Sequence, residues 1–494
     1  MDALRCGRVF LFVLSIVLAA AEDAQYSIPE VTIEAFTPKG FRASIPGSPN
    51  QSLFAFQGNL NRNIESDQVG AISGETLSVS SNGRWIVDLP DIQLKAGDVI
   101  KYHVFAAIDR VGYVKDDLEF TIEELKPYEP LPAGSAPVPV PLTPPASTST
   151  TPAPECLPTL TRLRTGSACA GQTVFEENFD SLRESMWQIE HYIPLDHPEL
   201  PFVSYQKSAV SVKDGILRIR AALQQTQQGF TNESIYDGSL NLIQGCTSTI
   251  PHACEMHAEG ANILPPVVSG RIVSRPGFAF TYGTVSVRAK LPKGDWLYPE
   301  ILLEPFLKKF GSGPMNFKSG VLKIACARGN KDLLEQFVGN NQGNKFLYAG
   351  PIVAYKCREY LIRNKEGYSD WSNDFHIYSV KWTPDRFTFL VDGVQWFFIE
   401  PSPSGLCGKL PASCGAGSLP GMAPFDDHFY LTLGVAAGGV TDFKDLLTTT
   451  DGSTKPWRNQ QSKAALNFWR HQDAWHPTWE QPELLVDYVK VEAL

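Results

Sequence analysis

Ten prolines fall between Leu125 and Glu155, interleaved with alanine, serine and threonine, and they settle the architecture before any strand is assigned. Proline lacks an amide hydrogen and fixes φ, so such a run neither ladders into a sheet nor buries a core. It favours extended polyproline conformations that rise about 3.1 Å per residue. Residues 125–155 therefore read as a tether between two bodies that fold separately, with Ser147 to Thr151 as candidates for O-linked sugar.

The cysteines divide along the same line. Cys6 lies in residues 1–21, which have the marks of a secretory signal: Arg5 and Arg8, an apolar run from Val9 to Ala20, and Ala19-Ala20-Ala21 before Glu22. The other eight are Cys156, Cys169, Cys246, Cys254, Cys326, Cys357, Cys407 and Cys414. An even number in a secreted chain reads as disulfides. All follow the tether, so the first body must hold together by packing alone. Close spacing favours Cys156–Cys169, Cys246–Cys254 and Cys407–Cys414, which leaves Cys326–Cys357. A disulfide also explains Cys254 better than the loosely metal-like spacing of His252, Cys254 and His257, and no metal or cofactor motif stands out. Asn50 and Asn232 head glycosylation sequons. The formal charge of −10 grows by one unit without the signal, and no basic tract invites nucleic acid. No later stretch is long and apolar enough to span a bilayer.

Both bodies read as all-β. In residues 22–124, seven short segments separated by turns are Val31–Phe36, Phe41–Ile45, Leu53–Phe56, Thr76–Val79, Trp85–Leu89, Val99–Ala107 and Leu118–Ile122. Seven strands in about a hundred residues fit an immunoglobulin-like β-sandwich. Residues 156–494 carry many more, among them Gly270–Ser274, Gly283–Leu291, Val321–Ala327, His376–Trp382, Phe387–Val391, Phe429–Val435 and Leu484–Val491. Asp392-Gly393 marks a hairpin between Phe387–Val391 and Val394–Phe398. This pattern predicts a large concanavalin-like jelly-roll sandwich, with short helices over Lys331–Phe337 and Ser462–Trp469.

Ser269-Gly270-Arg271-Ile272-Val273-Ser274, Gly294-Asp295-Trp296-Leu297, Trp382-Thr383-Pro384-Asp385, Pro424-Phe425-Asp426 and Trp475-His476-Pro477-Thr478-Trp479 occur in the order found in glycoside hydrolase family 16. Within it, the chain resembles the invertebrate β-1,3-glucan recognition proteins, also called Gram-negative-bacteria-binding proteins. Residues 22–124 are similar to their glucan-binding module through Pro38-Lys39-Gly40-Phe41, Gly83-Arg84-Trp85 and Leu94-Lys95-Ala96-Gly97-Asp98. Active hydrolases of the family carry Ser-Gly-Glu-Ile-Asp-Ile-x-Glu. The matching stretch here is Ser319-Gly320-Val321-Leu322-Lys323-Ile324-Ala325-Cys326, followed by Ala327-Arg328-Gly329-Asn330. The resemblance thus puts Val321 at the nucleophile, Lys323 at the assisting aspartate and Cys326 at the acid/base.

Retaining hydrolysis needs a carboxylate nucleophile and a second carboxyl about 5–5.5 Å away to protonate the leaving oxygen. Valine has no nucleophilic atom, an ammonium repels a developing oxocarbenium ion, and a thiol is a poor acid here. Residues 156–494 are therefore expected to be a catalytically inactive glucanase-like domain. Ser286 and Leu302 are further departures from the family. Glu300 and Glu304 remain nearby, read first as a structural or solvated pair. Trp296, Trp457, Trp475 and Trp479 are either sugar platforms or core aromatics.

In the module, Trp85 is the candidate platform, with Arg84, Lys101 and Tyr102 close by and Glu65, Asp67 and Glu75 to accept hydroxyl hydrogen bonds. A sandwich-core tryptophan is the other role open to Trp85, and Phe54 and Phe56 are core by alternation. The resemblance implies a haemolymph pattern-recognition protein that binds β-1,3-glucan and acts upstream of prophenoloxidase or Toll cascades. It admits lipopolysaccharide or lipoteichoic acid as further ligands and a modular serine protease as partner. The competing readings are an active secreted β-1,3-glucanase and a pure protein-binding scaffold.

Overall fold

The computed structural model describes residues 27–49, 51–62, 72–76, 79–80, 83–90, 92–108, 111–128, 156–336 and 339–494. The signal segment, Asn50, Glu65, Asp67 and residues 129–155 of the tether lie outside them. Two compact units divide between Ser147 and Thr148. No described helix is long and apolar enough to cross a membrane.

The first unit is a sandwich of two four-stranded sheets. Its strands are β1 (Thr32–Thr37), β2 (Phe41–Pro46), β3 (Gln51–Leu60), β4 (Ile72–Thr76), β5 (Arg84–Leu89), β6 (Val99–Ile108), β7 (Val111–Thr121) and β8 (Lys126–Pro127). They pair in the orders β5-β2-β1-β8 and β4-β3-β6-β7. Alternation builds the core: Phe41, Ala43 and Ile45 of β2 and Trp85 and Val87 of β5 meet Phe54 and Phe56 of β3 and Ile100 and Val104 of β6. The strand expected over Thr76–Val79 lies earlier, because Ile72 is the residue that enters the core.

The last strand corrects the module's boundary. Lys126–Pro127 pairs in parallel with Phe36–Thr37. The Tyr128 hydroxyl then donates to Asp88 Oδ2 at 2.8 Å, and its ring meets Phe36 edge-on. Proline is tolerated there because β8 is an edge strand. The module therefore runs on to Tyr128, inside the tract expected to be tether.

The second unit faces an eight-stranded sheet, in which Thr173–Glu177 pairs with Glu483–Glu492 off the main path, against a nine-stranded one, in which Phe280–Thr281 and Arg162–Leu163 lie off it. The first runs Val210–Lys213, Ile216–Arg220, Glu483–Glu492, Gly283–Lys290, His376–Trp382, Phe387–Val391, Val394–Ile399. The second runs Gln188–Ile189, Arg271–Val273, Phe429–Ala437, Leu297–Pro305, Val321–Cys326, Phe346–Ile352, Arg363–Glu366. Val285, Val287 and Tyr378 from one sheet and Ile301, Leu322 and Leu433 from the other share one core. Asp392 and Gly393 both take positive φ, +50° and +78°, as a two-residue hairpin turn of this twist requires.

Two local expectations fail. The predicted helix over Lys331–Phe337 contains a strand, Leu333–Glu335, paired with Leu447–Thr449. Burial of Leu333 and that pairing override the local propensity. The predicted helix over Ser462–Trp469 forms as Ala464–Arg470. Cys156–Cys169 and Cys246–Cys254 bond, but the third disulfide joins Cys357 to Cys414, with Cα atoms 5.4 Å apart. Cys407–Cys414 and Cys326–Cys357 do not form: Cys326 and Cys407 are buried free thiols. Cys407 opens one short 3-10 turn and Cys414 ends the next, and the Cys407 sulfur lies 3.9 Å from the Ala423 carbonyl. Nearness in sequence did not bring the required Cβ geometry.

Candidate functional site

Strand Leu297–Pro305 explains why the nine-stranded sheet has an unusual outer face. Leu297, Ile301 and Leu303 point into the main core, so Glu300, Leu302 and Glu304 point the other way. Such a face normally meets water, yet all nine residues of the strand are buried. The neighbouring strand Val321–Cys326 is buried throughout as well. Residues 193–202 are part of the cover: the Phe202 amide donates to the Ala437 carbonyl at 2.9 Å, and the Val440 amide to the Glu199 carbonyl at 3.2 Å.

Under this cover, Val321 sits in a small apolar cluster with Leu302, Phe317 and Ile352. Lys323 Nζ donates to Asp442 Oδ1 at 2.8 Å and lies 3.7 Å from Glu199. Arg328 donates to the other Asp442 oxygen at 3.0 Å and to the Asp442 carbonyl at 2.7 Å. Arg358 binds Glu199 and lies 3.5 Å from Asp442, and the Thr441 hydroxyl also donates to Glu199. Arg328 also lies 3.7 Å from the part-exposed Glu359, so three cations share two buried carboxylates and a third at the rim. Burial opposes the charge on Lys323, but Asp442 and Glu199 outweigh it and raise its pKa. Burial likewise opposes ionisation of Asp442, yet Lys323, Arg328 and Arg358 hold its carboxyl far below the usual range. Burial pushes the Cys326 thiol up to about 11, with the charge of Lys323 opposing it.

Beside this lies a cluster of opposite balance. Arg271 binds Glu190 and Glu304 and comes within 3.4 Å of Glu300. The Tyr205 hydroxyl donates to Glu300 at 2.8 Å, and His197 Nε2 lies 3.1 Å from its other oxygen. Thr432 donates to Glu304 at 2.5 Å. Burial favours the neutral form of Glu300, but Arg271, His197 and Tyr205 win and lower its pKa to about 2. The paired strand must leave room, and a Cβ at Gly434, directly opposite Glu300, would meet its carboxylate at 2.6 Å. Residues 193–202 lock both clusters, giving His197 to the acid-rich one and Glu199 to the cation-rich one. Glu300 and Glu304 are thus a buried structural pair rather than solvated acids.

The other residues singled out from the sequence are scattered. Trp85 is 4% exposed and lies in the module core, where Tyr102 also stacks on Phe56. Neither offers an open platform. Arg84 donates to Ser44 and Thr32 on the outer side of β5-β2-β1-β8. Lys101, 3.6 Å from Glu119, and Glu75, opposite Ala55, face outward from the other sheet. Arg84 therefore does not join Lys101 and Glu75 in one site. Trp296, Trp457 and Trp475 are core residues, and Trp479 packs on Trp475. Ser286 bonds Ser379 on the eight-stranded sheet. Asn232 is exposed. Among the described residues, no group of three or more His, Cys, Asp and Glu is placed to hold a metal.

Residues 27–133 match the family described as carbohydrate binding domain (family 32), and residues 336–405 match glycosyl hydrolases family 16. The β-1,3-glucan-binding protein of Hyphantria cunea is 50% identical over 99% of this chain and 100% of its own length. The β-1,3-glucan-binding protein 1 of Galleria mellonella is 36% identical over 95% of this chain and 96% of its own. The Gram-negative bacteria-binding protein 1 of Drosophila melanogaster is 35% identical over 95% and 96%. Among solved structures, the laminarinase catalytic domain of Thermotoga maritima MSB8 is 18% identical with a TM-score of 0.39, covering 65% of this chain and 98% of that one.

Proposed function

This chain belongs to the family of β-1,3-glucan-binding and Gram-negative bacteria-binding proteins, and we propose that it is a secreted, non-catalytic sensor of β-1,3-glucan. The full-length likeness to glucan-binding proteins carries the ligand, and the match over residues 27–133 supports the module as its captor. Outward-facing Lys101 and Glu75 are proposed to contact sugar hydroxyls from one sheet of the module and Arg84 from the other. A repeating polymer binds many copies of the chain, so weak single contacts sum by effective concentration.

The buried clusters support the loss of hydrolysis. At the positions matched to the catalytic acids stand an alkyl group, an ammonium and a thiol that stays protonated at neutral pH. Glu300, the nearest substitute, is ionised and committed to Arg271, so it has no proton to give a leaving oxygen. The larger unit is proposed instead as a display surface for a modular serine protease of a prophenoloxidase or Toll-type cascade. Lipopolysaccharide and lipoteichoic acid are further proposed ligands. Incubation of the full chain with insoluble β-1,3-glucan and with laminarin tests the reading. Sedimentation with the glucan and no release of reducing ends is expected. Sustained release that Glu300→Gln abolishes would establish a glucanase instead.

A further inference from the structure

Beyond the buried clusters, the second unit has a cavity of about 260 Å³ past the ends of strands Leu297–Pro305 and Phe429–Ala437. Pro420, Pro424, Leu419 and Phe310 supply apolar wall. Phe310 is 39% exposed and belongs to none of the core clusters, so core packing does not account for it. Lys309, Asp426 and Asp427 bring polar atoms to the same wall, and Lys309 Nζ stands 2.5 Å from Asp427 Oδ2.

From this we infer that the cavity is a second sugar subsite, shaped for the terminal hexopyranose of a neutral glycan. Its volume lies just under the ~300 Å³ at which small-molecule pockets usually begin, which suits one ring and excludes a chain segment. Proline and phenylalanine carbons match the CH-rich face of a pyranose. The Asp426 carboxylate can accept from a hydroxyl and the Lys309 ammonium can donate, while Asp427 is held by Lys309 and the His428 amide. The Lys309–Asp427 charges cancel, which favours a neutral polyol over a phosphate.

A chain end is preferred to an internal unit because the way inward is pinched. The adjoining cavity, bounded by Val321, Glu304 and Pro198, shares Pro305 and Ser319 with this one but holds only about 30 Å³. That is room for a single water. A polymer therefore stops at Ser319 and does not thread on to Val321.

This inference rests on the reading of the chain as a glucan binder, and the test separates the two. Laminaribiose is titrated calorimetrically into the full chain, and sedimentation with insoluble β-1,3-glucan is measured in parallel. Leu419→Trp, which fills the cavity, is expected to weaken laminaribiose at least ~10-fold, a loss of about 1.4 kcal/mol, and to leave sedimentation unchanged. Asp426→Asn and Phe310→Ala, milder at the exposed rim, are expected to weaken it several-fold at unchanged melting temperature, and they decide the matter if Leu419→Trp fails to fold. Unaltered laminaribiose affinity in the folded variants overturns the subsite. So does sedimentation without any laminaribiose binding, or displacement of laminaribiose by lipopolysaccharide at these residues. Failure of both laminaribiose binding and sedimentation overturns the glucan-binding reading as well.

Discussion

The two buried clusters lie on one sheet under one cover, yet they solve opposite problems. The cation-rich cluster holds Lys323, Arg328 and Arg358 around Asp442 and Glu199, and the acid-rich cluster holds Glu190, Glu300 and Glu304 around Arg271. Carboxylates can shed excess charge by taking up protons, and burial already raises the pKa of Glu190. Guanidinium groups have no such escape at any ordinary pH. The acid-rich cluster can therefore adjust its own charge, whereas the cation-rich one depends on Asp442, Glu199 and the part-exposed Glu359. Their shared cover serves both, placing His197 against Glu300 on one side and Glu199 against Lys323 and Arg358 on the other.

The sharpest way to break this contrast is Asp442→Asn, which leaves three buried cations facing Glu199 and the part-exposed Glu359. A loss of ~3–5 kcal/mol is expected in urea unfolding of the second unit, with little change between pH 5 and 8. Arg271→Met removes the one guanidinium that Glu190, Glu300 and Glu304 share, leaving Glu300 to His197 and Tyr205 and Glu304 to Thr432. Its cost, ~3 kcal/mol at pH 7, should shrink as the pH is lowered to 5 and protons neutralise the carboxylates. A pH-independent cost in that variant would refute the proposed asymmetry.

Acid titration of the unaltered chain sharpens the comparison from the other side. Glu300 has a pKa of about 2 when folded against an ordinary 4.5, so its stabilisation is complete above pH 4.5 and is lost as the pH falls through 2. The shift amounts to roughly 3 kcal/mol and is readable in chemical melts at pH 5, 4 and 3. The smallest effect is expected of Lys323→Met. Asp442 keeps both arginines and the cation excess falls, so the cost should stay below ~1.5 kcal/mol.

Strands were legible in the sequence wherever alternation met a clear turn, as in His376–Trp382, Phe387–Val391 and the Asp392-Gly393 turn. Trp85 reads first as a sugar platform, although its alternation with Val87, opposite Ile45 and Ala43, turns it inward into the core. A lysine within Val-Leu-Lys-Ile-Ala-Cys announces that a buried carboxylate must exist somewhere. Nothing local says which one, because Asp442 lies 119 residues away and arrives by topology. Glu199, His197 and Arg358 escaped for the same reason. The disulfide pairing escaped because loop length ranks closure entropy and not side-chain direction.

The short parallel pairing of β8 with β1 has a practical meaning for anyone who isolates the module. β1 would otherwise end its sheet with open amides and carbonyls, a template for pairing between molecules. A fragment trimmed at Glu124 strips that guard together with Tyr128, and should self-associate where one ending beyond Tyr128 stays monodisperse.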